Sequence, residues 1–72
     1  MEFGQALKNL RDGLKCYRSG WNGKGMHIAL EVPDDDNMNI TLPYIYFVTA
    51  HGSKVPWVAS HTDMLGNDWR LF

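Results

Sequence analysis

The first segment with a regular hydrophobic pattern lies at the N-terminus, where apolar residues recur at spacings of three and four. They are Phe3, Ala6, Leu7, Leu10 and Leu14. This spacing predicts a surface helix that packs one apolar stripe against a core. Gly13 is a typical helix-ending residue, and Lys8 and Arg11 suit the negative end of the helix dipole.

The rest of the chain has the pattern of short β-strands separated by turn residues. Strands are predicted at about 15–18, 26–32, 44–50 and 55–58, with a closing strand in "DWRLF". In the second of these, apolar residues alternate with His27, Ala29 and Glu31, so one strand face should be buried and the other at least partly wet. Gly52 predicts a hairpin before the fourth strand, and the polar run 34–39 predicts a loop.

A short capped helical turn is predicted at 61–65. Ser60 and Asp63 have the S-x-x-D spacing of a capping box, and Gly66 follows as a stop signal. The predicted fold is therefore α+β, with an N-terminal amphipathic helix packed on a small, mostly antiparallel sheet. Residues 1–72 should form a single domain.

Charge and composition narrow the classes of partner. With 7 basic and 8 acidic side chains the net charge is -1, which provides no field for binding DNA, RNA or an anionic membrane. The chain is 44% apolar, too hydrophobic for disorder and too interrupted for a membrane span. A lone Cys16 and the lack of a secretory leader pattern indicate the cytoplasm. Because so short a chain buries a small core, a homo-oligomer is favoured over a monomer.

The stretch "GWNGKG" at 20–25 allows two interpretations. Its glycine spacing matches neither the dinucleotide fingerprint nor the P-loop. Glycines permit positive φ, and successive backbone N–H groups can then receive an anion beside Lys24, with Trp21 as a flat face. The alternative is a structural turn whose Trp21 covers the core.

Metal and catalytic patterns are weak. His27, His51 and His61 have no zinc-site spacing, and the first ligand positions of a calcium loop at 35–39 are not followed by the required Gly and Glu. The three imidazoles are interpreted as solvated or locally hydrogen-bonded. Ser60 is better explained as a helix cap than as a nucleophile beside His61. The sequence therefore predicts no metal, no cofactor and no catalytic residue.

Three tryptophans stand beside polar residues, at Trp21, Trp57 and Trp69. Flat aromatic side chains with neighbouring Asn and Asp suit a ligand that has stackable bases and hydroxyl groups. The competing interpretation is that the tryptophans form the core.

Two segments together carry a resemblance to a known family: "GWNGKGM" at 20–26 and "VPWVASHTDMLGNDW" at 55–69. They resemble the small phage and prophage proteins that include the Thoeris anti-defence proteins of the second type. The opening "MEFGQALKNLRDGLKCYRSGW" also fits this family's N-terminal helix and first strand, so the resemblance covers nearly the whole chain.

The resemblance implies a homotetramer in the cytoplasm of an infected bacterium. Such proteins bind cyclic ADP-ribose isomers, of the glycocyclic kind made by bacterial TIR proteins, without cleaving them, and some relatives also hold cyclic oligonucleotides at a separate site. Ligand-binding residues are then expected among Trp21, Asn22, Gly23, Lys24, Gly25, Trp57, Ser60, Thr62, Asp63 and Asp68.

In that assignment, Trp21 stacks on a base or closes the pocket, and Asn22 or Asp63 bonds polar ligand edges. Lys24, with the backbone of Gly23 and Gly25, meets the pyrophosphate. Two alternatives stay open: a nucleotide hydrolase using His61 and Asp63, and a phage protein-interaction module that uses exposed aromatic residues.

Overall fold

The computed structural model describes residues 1–33 and 42–72. Their elements follow one another as α1 (Phe3–Arg11), β1 (Cys16–Arg18), β2 (His27–Glu31), β3 (Tyr44–Val48), β4 (Lys54–Pro56), α2 (His61–Leu65) and β5 (Trp69–Leu71). The strands form one sheet in the order β4-β3-β2-β1-β5, and every pairing in it is antiparallel. The predicted α+β class is confirmed. The predicted acidic loop at 34–39 and the calcium-loop comparison at 35–40 lie outside the described residues.

Helix α1 packs its apolar stripe on the sheet and stops earlier than the periodicity predicted. Lys8 and Arg11 lie in its last turn as expected, and the helix ends at Arg11 because Gly13 adopts a φ of +88°. Leu14 was predicted to belong to the buried stripe, and this was wrong, since the chain has already left the helix and the side chain is 46% exposed.

The core lies between α1 and one face of the sheet. Its fully buried members are Ala6, Leu10, Cys16, Ile28 and Trp69. Burial raises the pKa of the Cys16 thiol, which therefore behaves as a small apolar side chain. Trp69, from the last strand, is the largest of these side chains and joins both ends of the chain in one core.

Strand β2 is buried on both faces at its start, contrary to the predicted half-wet strand. Ile28 faces the core, while His27 and Ala29, on the opposite face, are only 8% and 5% exposed. The ring of Phe72 stacks on the His27 imidazole with centroids 4.1 Å apart, so a residue distant in sequence removes His27 from solvent.

The hairpin and the capped turn form as predicted, with some strand bounds shifted. Gly52 takes a φ of +85° in the β3–β4 hairpin, and α2 occupies 61–65. The predicted third strand ends at Val48 instead of 50, and the fourth spans Lys54–Pro56 instead of 55–58. Within residues 1–33 and 42–72, no helix is long and apolar enough to cross a bilayer.

Candidate functional site

A cavity of about 530 Å³ opens beside the turn between β1 and β2; we call it the loop cavity. Its walls come from β1, the turn up to the residue before β2, and the last two residues, 71 and 72. The lining residues are Tyr17, Trp21, Gly23, Lys24, Gly25, Met26, Leu71 and Phe72. Four of them belong to residues 20–25, the glycine loop, so this turn forms one side of a space large enough for a small-molecule ligand.

The glycine loop is held by close backbone packing. The Trp21 N–H donates to the Arg18 carbonyl at 3.1 Å, and Gly25 takes a φ of +83°. A Cβ at Gly23 would run into the Met26 side chain and lie 2.8 Å from the Cβ of Ala50. Gly23 is therefore needed for space and Gly25 for its backbone conformation.

Trp21 serves the core and the cavity at once. Its ring meets Phe47 and Trp69 edge to face, with centroids 5.3 Å and 5.4 Å apart. It stays half-buried and lines the loop cavity with the remainder of its surface. Both interpretations of the loop, a turn that covers the core and a wall for a ligand, thus describe the same side chain.

Tyr17 and Phe72 form an aromatic part of the cavity wall, and neither was among the predicted site residues. Tyr17 meets Phe72 edge to face at 6.2 Å, and Phe72 stacks on His27. The His27 Nδ1 lies 2.8 Å from the Gly25 carbonyl oxygen, so Nδ1–H donates this bond and ties the wall to the loop. Antiparallel pairing of β1 with β5 is what brings Phe72 to Tyr17.

Residues 60–69 of the second sequence motif form a hydrogen-bonded segment, which we call the capped segment. The Asp63 N–H donates to Ser60 Oγ at 3.1 Å, and the Ser60 N–H donates to Asp63 Oδ2 at 2.9 Å, which completes the predicted capping box. Thr62 Oγ1 lies 2.9 Å from Ser60 Oγ. The indole N–H of Trp69 donates to the Asp63 carbonyl at 2.9 Å.

Arg18 joins this segment to the glycine loop. Its Nη1 donates to Asp63 Oδ1 at 3.0 Å and its Nε to Asp68 Oδ1 at 2.9 Å. The other oxygen of Asp68 accepts the Gly20 N–H at 3.1 Å. The two motifs that carried the resemblance are therefore in contact in the folded chain.

Comparison with known proteins gives a family match over the whole chain. Residues 1–72 match the family described as the Thoeris anti-defense 2-like domain. The chain belongs to this family. It is also 36% identical to Thoeris anti-defense 2 of Bacillus phage SP01 over 83 aligned positions, which cover 99% of this chain and 93% of that protein. The resemblance of this Thoeris anti-defense 2-like chain, drawn from its two motifs, is confirmed.

The structure divides the predicted ligand-binding residues of the Thoeris anti-defense 2-like chain into two groups. Trp21, Gly23, Lys24 and Gly25 meet at the loop cavity, and Asn22 is exposed in the same loop. The others lie elsewhere and stay predictions as ligand contacts; they are Trp57, Ser60, Thr62, Asp63 and Asp68. Trp57 lines a separate cavity of about 600 Å³ beneath α1, whose walls also include Leu7 and Ile45.

The two aspartates of the capped segment are held as carboxylates. Burial raises the pKa of Asp63, but bonds from the Ser60 backbone N–H and from Arg18 outweigh it, so the pKa lies below its ordinary value. The bond from Arg18 lowers the pKa of Asp68, helped by the Gly20 N–H. Both groups are therefore charged at neutral pH and are weak bases.

The remaining chemistry-bearing side chains are dispersed. His61 is exposed in the first turn of α2 and His51 is exposed in the hairpin. In the described parts of the chain, no three His, Cys, Asp or Glu side chains come together as metal ligands. The arrangement with the most binding chemistry is the loop cavity, which combines aromatic walls, one ammonium group and exposed peptide backbone.

Proposed function

We propose that this chain blocks Thoeris-type anti-phage defence by sequestering its cyclic nucleotide signal, a cyclic ADP-ribose isomer such as glycocyclic ADP-ribose. It would hold the signal without cleaving it, in the cytoplasm of the infected bacterium. Membership of the anti-defense family supports the biological role. The observation that carries the molecular part is the loop cavity, where the family motif "GWNGKGM" forms one wall.

The cavity has the chemistry that such a ligand requires. A cyclic ADP-ribose isomer has a purine, two riboses and a pyrophosphate. The Trp21 ring offers a stacking surface for the purine, worth about 1–3 kcal/mol per base. Lys24 and the Gly23 and Gly25 backbone offer positive charge and peptide N–H groups for the pyrophosphate. Asn22, exposed in the same loop, would bond hydroxyl groups of the ligand.

The cavity of a single chain leaves one side open, and this supports an oligomer as the binding form. A nanomolar site requires about -12 kcal/mol, more than one stacked ring and one ammonium group provide. Leu71 and Phe72, at the cavity rim, are 52% and 58% exposed, so apolar surface remains for a second copy to cover. We propose the homotetramer implied by the family resemblance as the state that encloses the ligand.

The contacts of Asp63 favour binding over hydrolysis. Its Oδ1 accepts a bond from Arg18 and its Oδ2 accepts one from the Ser60 N–H. A carboxylate with a lowered pKa and two strong partners is a poor general base. The hydrolase alternative, which needs Asp63 to act with His61, would have to break the capping box first.

The decisive experiment determines the fate of the ligand. The protein is incubated with a slight molar deficit of glycocyclic ADP-ribose, then heat-denatured, and the supernatant is analysed by chromatography. We expect the free ligand to be depleted before heating and recovered intact afterwards. Recovery of linear ADP-ribose would establish hydrolysis instead, and a ligand that stays free before heating would contradict sequestration.

Native mass spectrometry sharpens the same test with a matched pair of variants. Lys24→Gln should weaken the ligand complex several-fold, more strongly at low salt, because it removes the ammonium group from the cavity. Lys54→Gln removes a lysine remote from the loop cavity and should leave binding unchanged. A cyclic oligonucleotide added alongside the ADP-ribose isomer would show whether the two ligand classes compete. A chain that forms no adduct with either would support the protein-interaction alternative.

A further inference from the structure

We propose that Arg18 is a positioning residue for ligand binding: it sets the glycine loop in its binding conformation by joining it to the capped segment. This inference rests on the proposed function, since it concerns the same cavity. Asp63 and Asp68 then act indirectly: they bond Arg18, and Asp68 also bonds the loop, but neither contacts the ligand. Arg18 is outside the predicted set of site residues, and it does not line the cavity.

The Arg18 guanidinium group bonds two aspartates of the capped segment. Arg18 reaches Asp63 and Asp68, which lie 45 and 50 residues later in the chain, through two different nitrogens. The side chains are sheltered from solvent, with 19% exposure for Arg18, 12% for Asp63 and 26% for Asp68. Planar nitrogens at fixed angles can bond two separate carboxylates at once, which a lysine ammonium on a flexible stem does less well.

Asp68 in turn bonds the backbone at the start of the glycine loop. Asp68 Oδ2 accepts the Gly20 N–H at 3.1 Å, and the Asp68 carbonyl accepts the Ser19 N–H at 3.0 Å. The Arg18 carbonyl accepts the Trp21 N–H at 3.1 Å. The backbone that introduces Trp21 is therefore fixed by three consecutive N–H groups, two of them bonded to Asp68.

Two glycines, Gly20 and Gly66, pack closely against this ionic network. A Cβ at Gly66 would lie 2.9 Å from Arg18 Nη2 and 3.0 Å from both Asp68 Oδ1 and the Thr62 carbonyl oxygen. Gly66 has an ordinary φ of -72°, so close packing, and not backbone conformation, favours glycine at this position. A Cβ at Gly20 would lie 3.2 Å from Asp68 Oδ2. Both glycines therefore leave room for the Asp68 carboxylate, and Gly66 also leaves room for the Arg18 guanidinium group.

Trp21 is the residue through which this network would affect ligand binding. Trp21 lines the cavity and also packs edge to face on Phe47 and Trp69. If the Arg18 side chain is lost, Asp68 loses the ion pair that holds its carboxylate beside the Gly20 N–H, and the ring contacts and remaining backbone bonds must order the loop with less support. The ligand then has to order the loop as it binds, which lowers affinity without removing any ligand contact.

The test compares Arg18→Met and Arg18→Lys with Lys54→Met. The control also breaks an ion pair, since Lys54 Nζ lies 2.9 Å from Glu31 Oε1, but that pair joins β4 to β2. Affinity for glycocyclic ADP-ribose is measured by calorimetry at a temperature where each variant is more than nine-tenths folded in urea titrations. In parallel, 5-fluorotryptophan labelling gives one ¹⁹F resonance for each tryptophan, assigned through Trp→Phe variants.

We expect Arg18→Met to weaken binding at least tenfold, Arg18→Lys to weaken it less, and Lys54→Met to change it less than twofold. In the free protein, Arg18→Met should broaden or shift the Trp21 resonance more than the Trp57 resonance. It should also speed amide hydrogen exchange at residues 20–25. Asp68→Asn, which keeps the side-chain size, provides the same readouts if Arg18→Met does not fold.

Two results would overturn the proposal: wild-type affinity in Arg18→Met with an unmoved Trp21 resonance, or equal disturbance of all three tryptophans, which would indicate general destabilisation. Failure of the proposed function is a separate outcome. In that case the wild type binds no ligand, while the Trp21 resonance and the loop amides still decide whether Arg18 positions the loop.

Discussion

The glycine loop and the capped segment both carry family motifs, yet they use their polar groups in opposite ways. In the capped segment, Ser60, Asp63 and Asp68 bond to one another's backbone, to Arg18 or to the glycine loop, and the Trp69 indole N–H bonds to a carbonyl. In the glycine loop, the side chains of Asn22 and Lys24 are exposed. The difference shows that a motif rich in polar residues becomes a candidate ligand surface only where the fold leaves those groups available.

The largest effect should follow from removing Trp69, the buried aromatic residue that ends the capped segment. Trp69→Ala deletes a side chain that is 1% exposed, and a buried Trp→Ala change costs about 3–5 kcal/mol. For so small a domain this approaches the whole free energy of unfolding, so the variant should be largely unfolded. Urea denaturation followed by far-ultraviolet circular dichroism measures the loss.

Trp69→Phe is the matched control, because it keeps an aromatic ring and removes the indole N–H that bonds to the Asp63 carbonyl. We expect a smaller loss of about 1–3 kcal/mol, from the unpaired buried carbonyl and the reduced packing. If Trp69→Ala proved as stable as the wild type, the capped segment would not be the stabilising region.

A smaller effect on stability, but a large one on binding, should follow from the corresponding change in the glycine loop. Trp21→Ala removes a half-buried ring from the cavity wall. Loss of stacking should weaken ligand binding by about 1–3 kcal/mol, or roughly five- to 150-fold. Calorimetry measures this loss, and urea titration should show a smaller drop in stability than Trp69→Ala. A Trp21→Ala variant with unchanged affinity would place the ligand outside the loop cavity.

Local patterns in the sequence predicted most of the elements. The S-x-x-D capping box and the Gly52 hairpin depend on neighbouring residues and form as expected. The three-and-four spacing also predicted α1, although the helix ends at Arg11 and leaves Leu14 outside it. The α+β class followed from their order along the chain.

Long-range contacts were not predictable in the same way. The burial of His27 depends on Phe72, and the use of Asp63 and Asp68 depends on Arg18, 45 and 50 residues away. Nothing in the local pattern of "CYR" marks Arg18 as the partner of two aspartates. Register between β1 and β5 decides that, and register is a property of the folded sheet.

The smallest expected effect is a pH dependence of the free energy of unfolding, which comes from the aspartates of the capped segment. Asp63 and Asp68 have lowered pKa values in the folded chain, so their contribution to stability is present above their unfolded pKa of about 3.9. It should be lost as the pH falls below that value and through the folded pKa values, because protonation breaks the bonds to Arg18. Urea midpoints between neutral pH and acid should show this decline, and Arg18→Met should decline less steeply. Parallel curves for the two proteins would contradict it.

Gly23 is packed against Met26 and Ala50, whereas its neighbours Asn22 and Lys24 face solvent. Along this short stretch, fixed and free positions alternate. We expect substitutions at these two exposed positions to leave the fold intact, so the rim of the cavity can change one residue at a time. Under the proposed function, specificity for an altered signalling molecule would then evolve at positions whose side chains face solvent.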